Sequence, residues 1–408
     1  MRWVIIGLVI FVYVVETVVA LLNQRHSLKP LPKYVQDVYD HSRYEKWLNY
    51  SLEGHRLDLV RKGFGLLLLL VLLWGPFASL GEWVALRTTH PIVESLLFLG
   101  VYQTLITLLL LPFGIYRTFF IEERHGFNRT GITTFARDQI TSYLVTLVLG
   151  GLILGAIHAL YLRFSENLWT FIFITWSVLS VIMLFAVAFF GKLLLRLFNK
   201  FTPLPEGQLR SRIGQLASAV GFNLKAILVM DASKRSSKSN AAFTGIGKTR
   251  EVILYDTLLE NMSEDEILAV LAHELGHAVH KDTWRMLAQQ IVLMGLQAVA
   301  IGLVLQSPSL FTDFGFPGVH FGFAFILCSI LLDPLLLLLG IPSNLLSRKA
   351  EFKADHFAAK QTQPSWLISA LKVLARENLV NLNPHPLAVL FHYSHPPMNE
   401  RIKALQAN

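Results

Sequence analysis

Charge is scarce in this sequence, cysteine is nearly absent, and no repeat or low-complexity stretch interrupts its 408 residues. Asp, Glu, Lys and Arg make up 16% of the chain against 53% hydrophobic residues, a balance that excludes an ordinary soluble multidomain protein and points to a membrane protein. The single cysteine, Cys328, excludes an internal disulfide and says nothing of redox compartment. A glycine-rich phosphate loop is also missing. The net charge of +8 would suit nucleic acid, but the basic residues are spread over loops and form no dense patch with aromatics, so no nucleic-acid partner is expected.

What is abundant is apolar sequence in long runs. Segments long enough to cross about 30 Å of hydrocarbon lie at Val4–Leu22, Phe64–Leu86, Pro91–Tyr116, Tyr143–Leu162, Trp169–Phe190, Met286–Leu305 and Phe321–Ile341. The first is too long in its core for a signal peptide and has no small-residue cleavage site, so it reads as a retained helix. Lys and Arg crowd the loop after the first span (Arg25, Lys29, Lys33, Arg43, Lys46, Arg56, Arg61, Lys62) and the loop after the third (Arg117, Arg124, Arg129, Arg137), and are sparse in the alternate loops. This asymmetry predicts an amino terminus outside and a carboxyl terminus in the cytoplasm. Glu16, Glu94 and Asp333 fall inside spans, where ionisable groups face protein or water rather than lipid.

Chemistry concentrates at His273-Glu274-Leu275-Gly276-His277. Ser263 and Glu266 form a capping box ahead of it, and Glu264 and Asp265 load the first turn with negative charge, so the segment reads as a helix. Histidines four apart on a helix share a face and can bind one metal, with the intervening glutamate free to act on water. A second helical run, Arg348-Lys349-Ala350-Glu351-Phe352-Lys353-Ala354-Asp355, carries Glu351 and Asp355 on one face. Glu351 is the expected third ligand, and Asp355 can hold a liganding histidine from behind. His280 is seven residues from His273, about 10.5 Å along a helix, whereas ligands of one zinc lie within about 4 Å, so it is excluded. Within the polar segment, Pro205–Val220 reads as an amphipathic helix, and Ala226–Met230 and Val252–Tyr255 read as strands.

These motifs resemble the type I CAAX prenyl proteases, integral-membrane zinc endopeptidases of the gluzincin kind. The matching pieces are the His273–His277 pentapeptide, Arg348-x-x-Glu351-x-x-x-Asp355, Ser239-Asn240-Ala241-Ala242-Phe243, Gly126-Phe127-Asn128, and His392-Tyr393-Ser394-His395-Pro396-Pro397 leading to Glu400-Arg401. One departure is Ala278-Val279, where family members often carry an aromatic and a basic residue. The resemblance implies that Arg348 stands with Asp355 behind the ligands. It further implies that the backbone at Asn240 and Ala241 pairs with extended substrate, and that His395 and Arg401 lie beside the zinc to stabilise an oxyanion. Without it, the stretch around Asn240 can also be read as a hairpin arm with no client.

The expected protein is therefore mainly α: a polytopic membrane protein of seven transmembrane helices, with a small gluzincin-type zinc protease unit and a short β-sheet on the cytoplasmic side. Its expected organisation is helices 1–5 in residues 1–190, a cytoplasmic catalytic segment over 191–285, helices 6 and 7 in 286–342, and a cytoplasmic tail over 343–408 with the third ligand. One Zn2+ per chain is expected, with Glu274 as general base. The implied substrates are membrane-associated, prenylated proteins or peptides that lose their last three residues, in a bacterial inner membrane or the endoplasmic reticulum membrane. Two other readings remain: a quality-control protease using the same site on unprenylated chains, and a transporter or receptor with a structural zinc, which would not need Glu274 and would close the fourth zinc position with a protein ligand.

Overall fold

The computed structural model describes residues 1–187, 191–244 and 251–407. Sixteen α-helices and four strands follow in chain order among the described residues. They are α1 Arg2–Ser27, α2 His41–Trp74, α3 Pro76–Ala85, α4 Pro91–Tyr116, α5 Ile132–Phe164, α6 Leu168–Phe185, α7 Gly191–Phe198, β1 Phe201–Pro203, α8 Gln208–Ala219, β2 Ala226–Met230, β3 Ala241–Thr244, β4 Glu251–Tyr255, α9 Asp256–Asn261, α10 Glu264–Val279, α11 Asp282–Leu305, α12 Pro308–Thr312, α13 Phe321–Gln361, α14 Pro364–Glu377, α15 Pro386–His392 and α16 Met398–Gln406. Among the described residues six helices are long and apolar enough to cross a membrane, and α2 with α3, bent by 57° at Gly75, makes a seventh if the bent pair is one span. The expected span from Phe64 to Leu86 is thus broken where Pro76 cannot continue the hydrogen-bond ladder of the preceding turn. Residues 188–190 at the end of the expected fifth span lie outside the described residues.

Several elements run past their apolar stretches. Helix α2 begins at His41 and carries about 30 Å of polar helix ahead of Phe64. Helix α13 continues for 41 residues through Pro334 and Pro342 into the run bearing Glu351. It therefore links the membrane-length helices to the unit that carries the sheet as one rod of about 60 Å. A π-helical turn, Arg117–Glu122, prolongs α4.

The segments that alternate in Lys and Arg content also separate in space. His26 meets the Asn383 carbonyl at 3.2 Å, Tyr39 donates to the carbonyls of Ala375 and Val380, and Asn128 bridges to Ser236. The loops after α1 and α4, the sheet unit and the carboxyl-terminal tail therefore occupy one end of the molecule. At the other end the Met1 amine meets Asp313 at 2.8 Å. Six fully or nearly fully buried phenylalanines, Phe77, Phe98, Phe311, Phe314, Phe316 and Phe323, close that end with rings as near as 4.5 Å between Phe316 and Phe323. Nearer the catalytic end, cavities of about 490 Å³ and about 480 Å³ lie against α1 and α2, and both are lined by Lys62. Glu16 pairs with Lys62 at 3.3 Å and faces His392 at 3.6 Å; Asp333 lines the second cavity; Glu94 faces His320 at 3.6 Å. The intramembrane acids thus divide between interhelical partners and cavity walls.

The sheet is mixed, in the order β1-β2-β4-β3, with β2 and β4 parallel and the outer pairs antiparallel. Strands β1 and β3 are its edges among the described residues. Cysteines introduced singly at Lys46, Lys238 and Thr89 in a Cys328→Ala background test the arrangement: the first two are expected to label from one side of the membrane and the third from the other. Labelling of positions 46 and 238 from opposite sides would overturn it.

Candidate metal and catalytic site

Helix α10 starts as its sequence demands: the Ser263 backbone N–H donates to Glu266 Oε2 at 2.8 Å, and Ser263 Oγ accepts from Glu266 N. Its apolar face is buried against the sheet, with Ile267, Leu268, Val270 and Leu271 in one core with β4. The same helix turns His273 and His277 toward α13, bringing their Nε2 atoms to 3.2 Å. Glu351 lies opposite, with Oε2 3.4 Å from His273 Nε2 and Oε1 3.3 Å from His277 Nε2. Bonds of about 2.05 Å at tetrahedral angles separate ligand atoms by about 3.3 Å. The two histidine nitrogens hold that spacing, each lies as near to one of the Glu351 oxygens, and one ligand atom from each of the three residues falls within 4.8 Å of the others. Glu351 Oε2 is buried and finds no hydrogen-bond partner among the described residues, a costly state that a bound cation relieves. The donor set and its orphaned oxygen therefore fit a divalent metal.

Each histidine is oriented from behind by a carboxylate. His273 Nδ1 lies 2.9 Å from Asp355 Oδ1, and His277 Nδ1 lies 2.9 Å from Asp282 Oδ2, which leaves both Nε2 atoms directed at the metal position. Sequence reasoning anticipated Asp355 and missed Asp282. Between the motif helix and the sixth span Lys281 takes a left-handed conformation at φ 58°, and this turn swings Asp282 back to His277. His280 caps the helix, exposed and 6.0 Å from the Phe357 ring, outside the cluster.

The tail closes round the site. Arg401, buried, donates to Asp355 through Nε at 2.8 Å and Nη2 at 2.6 Å, and its Nη1 lies 3.7 Å from Glu351. His395 Nε2 lies 3.2 Å from Glu351 Oε1 while its side chain stays 64% exposed. Arg348 does not stand behind the ligands as expected: its Nη1 donates to the carbonyls of Val389 and Tyr393, bracing the tail that carries His395. Asn240 is exposed at the start of β3; its carbonyl accepts from Tyr255 and its side chain holds the Ala241 N–H. Burial raises the Glu274 carboxyl above the usual glutamate range, although His273, His277 and Arg401 pull it down.

The site is that of a metallopeptidase, set on a bundle of membrane-length helices. Residues 203–408 match the model of peptidase family M48, and residues 20–200 match that of the CAAX prenyl protease N-terminal region with five membrane helices. Curated relatives include "CAAX prenyl protease 1 homolog" of Arabidopsis thaliana, 37% identical over 98% of this chain and 96% of its own length, and "CAAX prenyl protease 1" of Saccharomyces cerevisiae, 33% identical over 94% and 90%. The crystal structure of S. mikatae Ste24p superposes with a TM-score of 0.93 at 30% identity, covering 99% of this chain and 98% of that one. The chain belongs to the M48 peptidases of the CAAX prenyl protease 1 family, and is an integral-membrane metallopeptidase.

Two outcomes follow from the geometry. A Cβ at Gly276 would stand 3.0 Å from Ala354 Cα and 3.2 Å from its carbonyl oxygen, so Gly276→Ala should push α13 off α10 and carry Glu351 away. Metal titration should show affinity weakened by about 10- to 100-fold, the range seen when a ligand's support is lost; unchanged affinity would show that the helices yield without moving the ligand. The second concerns protons. Burial depresses His277, but its contacts with Glu351 and Asp282 outweigh this and push it up to about 9 in the metal-free protein. His277 is then protonated at pH 7, and metal must displace that proton. Affinity should rise with pH up to about 9, and titration calorimetry in buffers of different ionisation enthalpy should register proton release at pH 7; none would contradict the protonated state.

Proposed function

We propose that this chain is a zinc endopeptidase that removes the last three residues of prenylated CAAX proteins. The observation that carries the reading is the mutual spacing of the His273, His277 and Glu351 ligand atoms. The donor set suits zinc, which when bound supplies a Lewis acid for the scissile carbonyl and lowers the pKa of water toward neutrality. Glu274, its carboxyl raised by burial, takes the proton of the attacking water and passes it to the leaving amine. The outward side of β3 at Ala241, next to Asn240 and uncovered by another strand among the described residues, holds substrate extended by backbone pairing, with substrate replacing the Asn240 side chain at the Ala241 N–H, which accommodates varied side chains. His395, exposed beside Glu351, donates to the developing oxyanion. Arg401 has Nε and Nη2 committed to Asp355, so its part is to fix Asp355 and, through it, His273.

A prenyl chain recruits the client to the bilayer, each buried methylene contributing about 0.8 kcal/mol. The loop asymmetry in Lys and Arg supports a cytoplasmic catalytic end, and kinship with eukaryotic relatives supports the endoplasmic reticulum membrane. The test uses reconstituted protein and a farnesylated peptide ending in Cys-aliphatic-aliphatic-any residue. Loss of the terminal tripeptide by wild type is expected, with much slower cutting of the unprenylated twin. Glu274→Gln should keep one zinc and lose hydrolysis. Equal rates on the two peptides would refute prenyl recognition, scattered cuts in the unprenylated one would favour quality control, and turnover by Glu274→Gln would refute the mechanism.

A further inference from the structure

A strap of backbone joins the membrane helices to the catalytic unit just ahead of β3. Residues 235–238 run alongside 126–130: Asn128 and Ser236 form an antiparallel bridge, Arg129 N donates to the Arg235 carbonyl at 3.0 Å, and Ser237 N donates to the Phe127 carbonyl at 3.2 Å. Arg235 grips Asp138 on α5 with two hydrogen bonds of 2.7 and 3.0 Å. The strap ends in Lys238, three residues before Ala241. Its ammonium lies 4.5 Å from the centroid of Phe127 and 5.3 Å from that of Tyr50, donates to Tyr50 Oη at 3.0 Å, and stands 3.3 Å from Glu122 Oε2. Tyr50 in turn donates to Glu122 Oε1 at 2.7 Å. A surface lysine ordinarily keeps its rotamer freedom, because ordering it costs entropy. This one is held by two rings, a hydroxyl and a carboxylate, on α2, the π-helical turn and the loop after it.

The backbone at the same point is held from the catalytic side. Thr257 Oγ1 donates to the Lys238 carbonyl at 2.9 Å, Ser239 N donates to Asn378 Oδ1 at 3.2 Å, and Asn261 Nδ2 donates to Ser239 Oγ at 3.0 Å. Lys238 is therefore where a side chain anchored on the membrane helices meets backbone anchored on the catalytic unit. We propose that Lys238 is a positioning residue that locks the substrate-binding edge to the membrane half, and so sets the distance between a client's lipid anchor and the peptide bond at the metal. The proposal rests on the readings of β3 as the substrate edge and of prenylated proteins as clients. A prenylated tail is held at both ends, by its lipid in the membrane half and by its backbone on β3. Binding energy from the lipid reaches the scissile bond only if those two frames do not slide. An unprenylated peptide engages β3 alone and does not sense the lock.

The experiment compares farnesylated and unprenylated peptides on full-length, reconstituted wild type, Lys238→Met, Lys238→Arg and Tyr50→Phe, with metal content measured for each. Lys238→Met should lower kcat/KM for the farnesylated peptide by about tenfold, the scale of a held cation in an aromatic and anionic setting. Unprenylated turnover and metal content should stay at wild-type values, and mass analysis should find additional cuts at bonds next to the normal one. Lys238→Arg should recover part of the loss. Tyr50→Phe, which keeps the ring and removes one hydroxyl, should show the same selective loss at about threefold, and combining it with Lys238→Met should add little. Equal loss on both peptides, or no loss on either, overturns the positioning role. If wild type itself treats the peptides alike, the prenyl reading falls and this proposal with it; if wild type discriminates and the variants do so equally well, only this proposal falls.

Discussion

The close approach of α10 and α13 at Gly276 is the constraint from which the rest of the site follows. Helix axes normally stand 8–10 Å apart with side chains between them. Here the absent side chain lets Ala354 press against the motif helix, and Glu351 and Asp355 are brought within reach of two histidines one turn apart. Three acidic groups, Glu274, Glu351 and Asp355, come to lie in one confined space. Such a cluster is tolerable only with cations present, and Arg401, buried in two hydrogen bonds to Asp355, is the permanent one. The metal is the other.

Function then depends on which groups remain free. The histidine nitrogens aimed at the metal position are held from behind by Asp355 and Asp282, and Asp355 in turn by Arg401, so little reorganisation is needed when substrate arrives. Those left adjustable are Glu274, the proposed base, and His395, which stands exposed on a tail braced by Arg348. Rigid supports surround mobile chemistry. The division also explains why Arg348 belongs to the site's pattern without touching a ligand: it fixes the segment that delivers His395.

Periodic and local features were legible from residues alone. The four-residue spacing in His273–His277, the capping box at Ser263, strand β2 and the limits of α4 emerge from sequence because each is decided within one turn or one strand. What depends on the chain meeting itself was not. Asp282 becomes a partner of His277 only because Lys281 turns left-handed, a conformation uncommon enough in lysine that no propensity announces it. The contact of Lys238 with Tyr50 spans 188 residues of sequence and carries no periodicity. Pro334 and Pro342 would end a helix in water, yet α13 passes both, since in a membrane setting neighbouring groups re-satisfy the freed carbonyls. Gly276 reads in sequence as a variable position of the motif, and its necessity is visible only against Ala354.

The six phenylalanines at the end remote from the metal carry a consequence of a different kind. A protein with cavities of about 490 Å³ and about 480 Å³ among its spans is a potential hole in the bilayer, and any hole that passes ions dissipates the gradients a cell maintains. Moving one charge across 100 mV is worth about 2.3 kcal/mol, so even a slow leak is a continuous drain. Packed rings such as Phe77, Phe316 and Phe323 offer an ion no oxygen to replace its hydration shell. They leave the end of the bundle remote from the metal site as packed hydrocarbon, an electrical insulator in series with the wetter cavities nearer the other end.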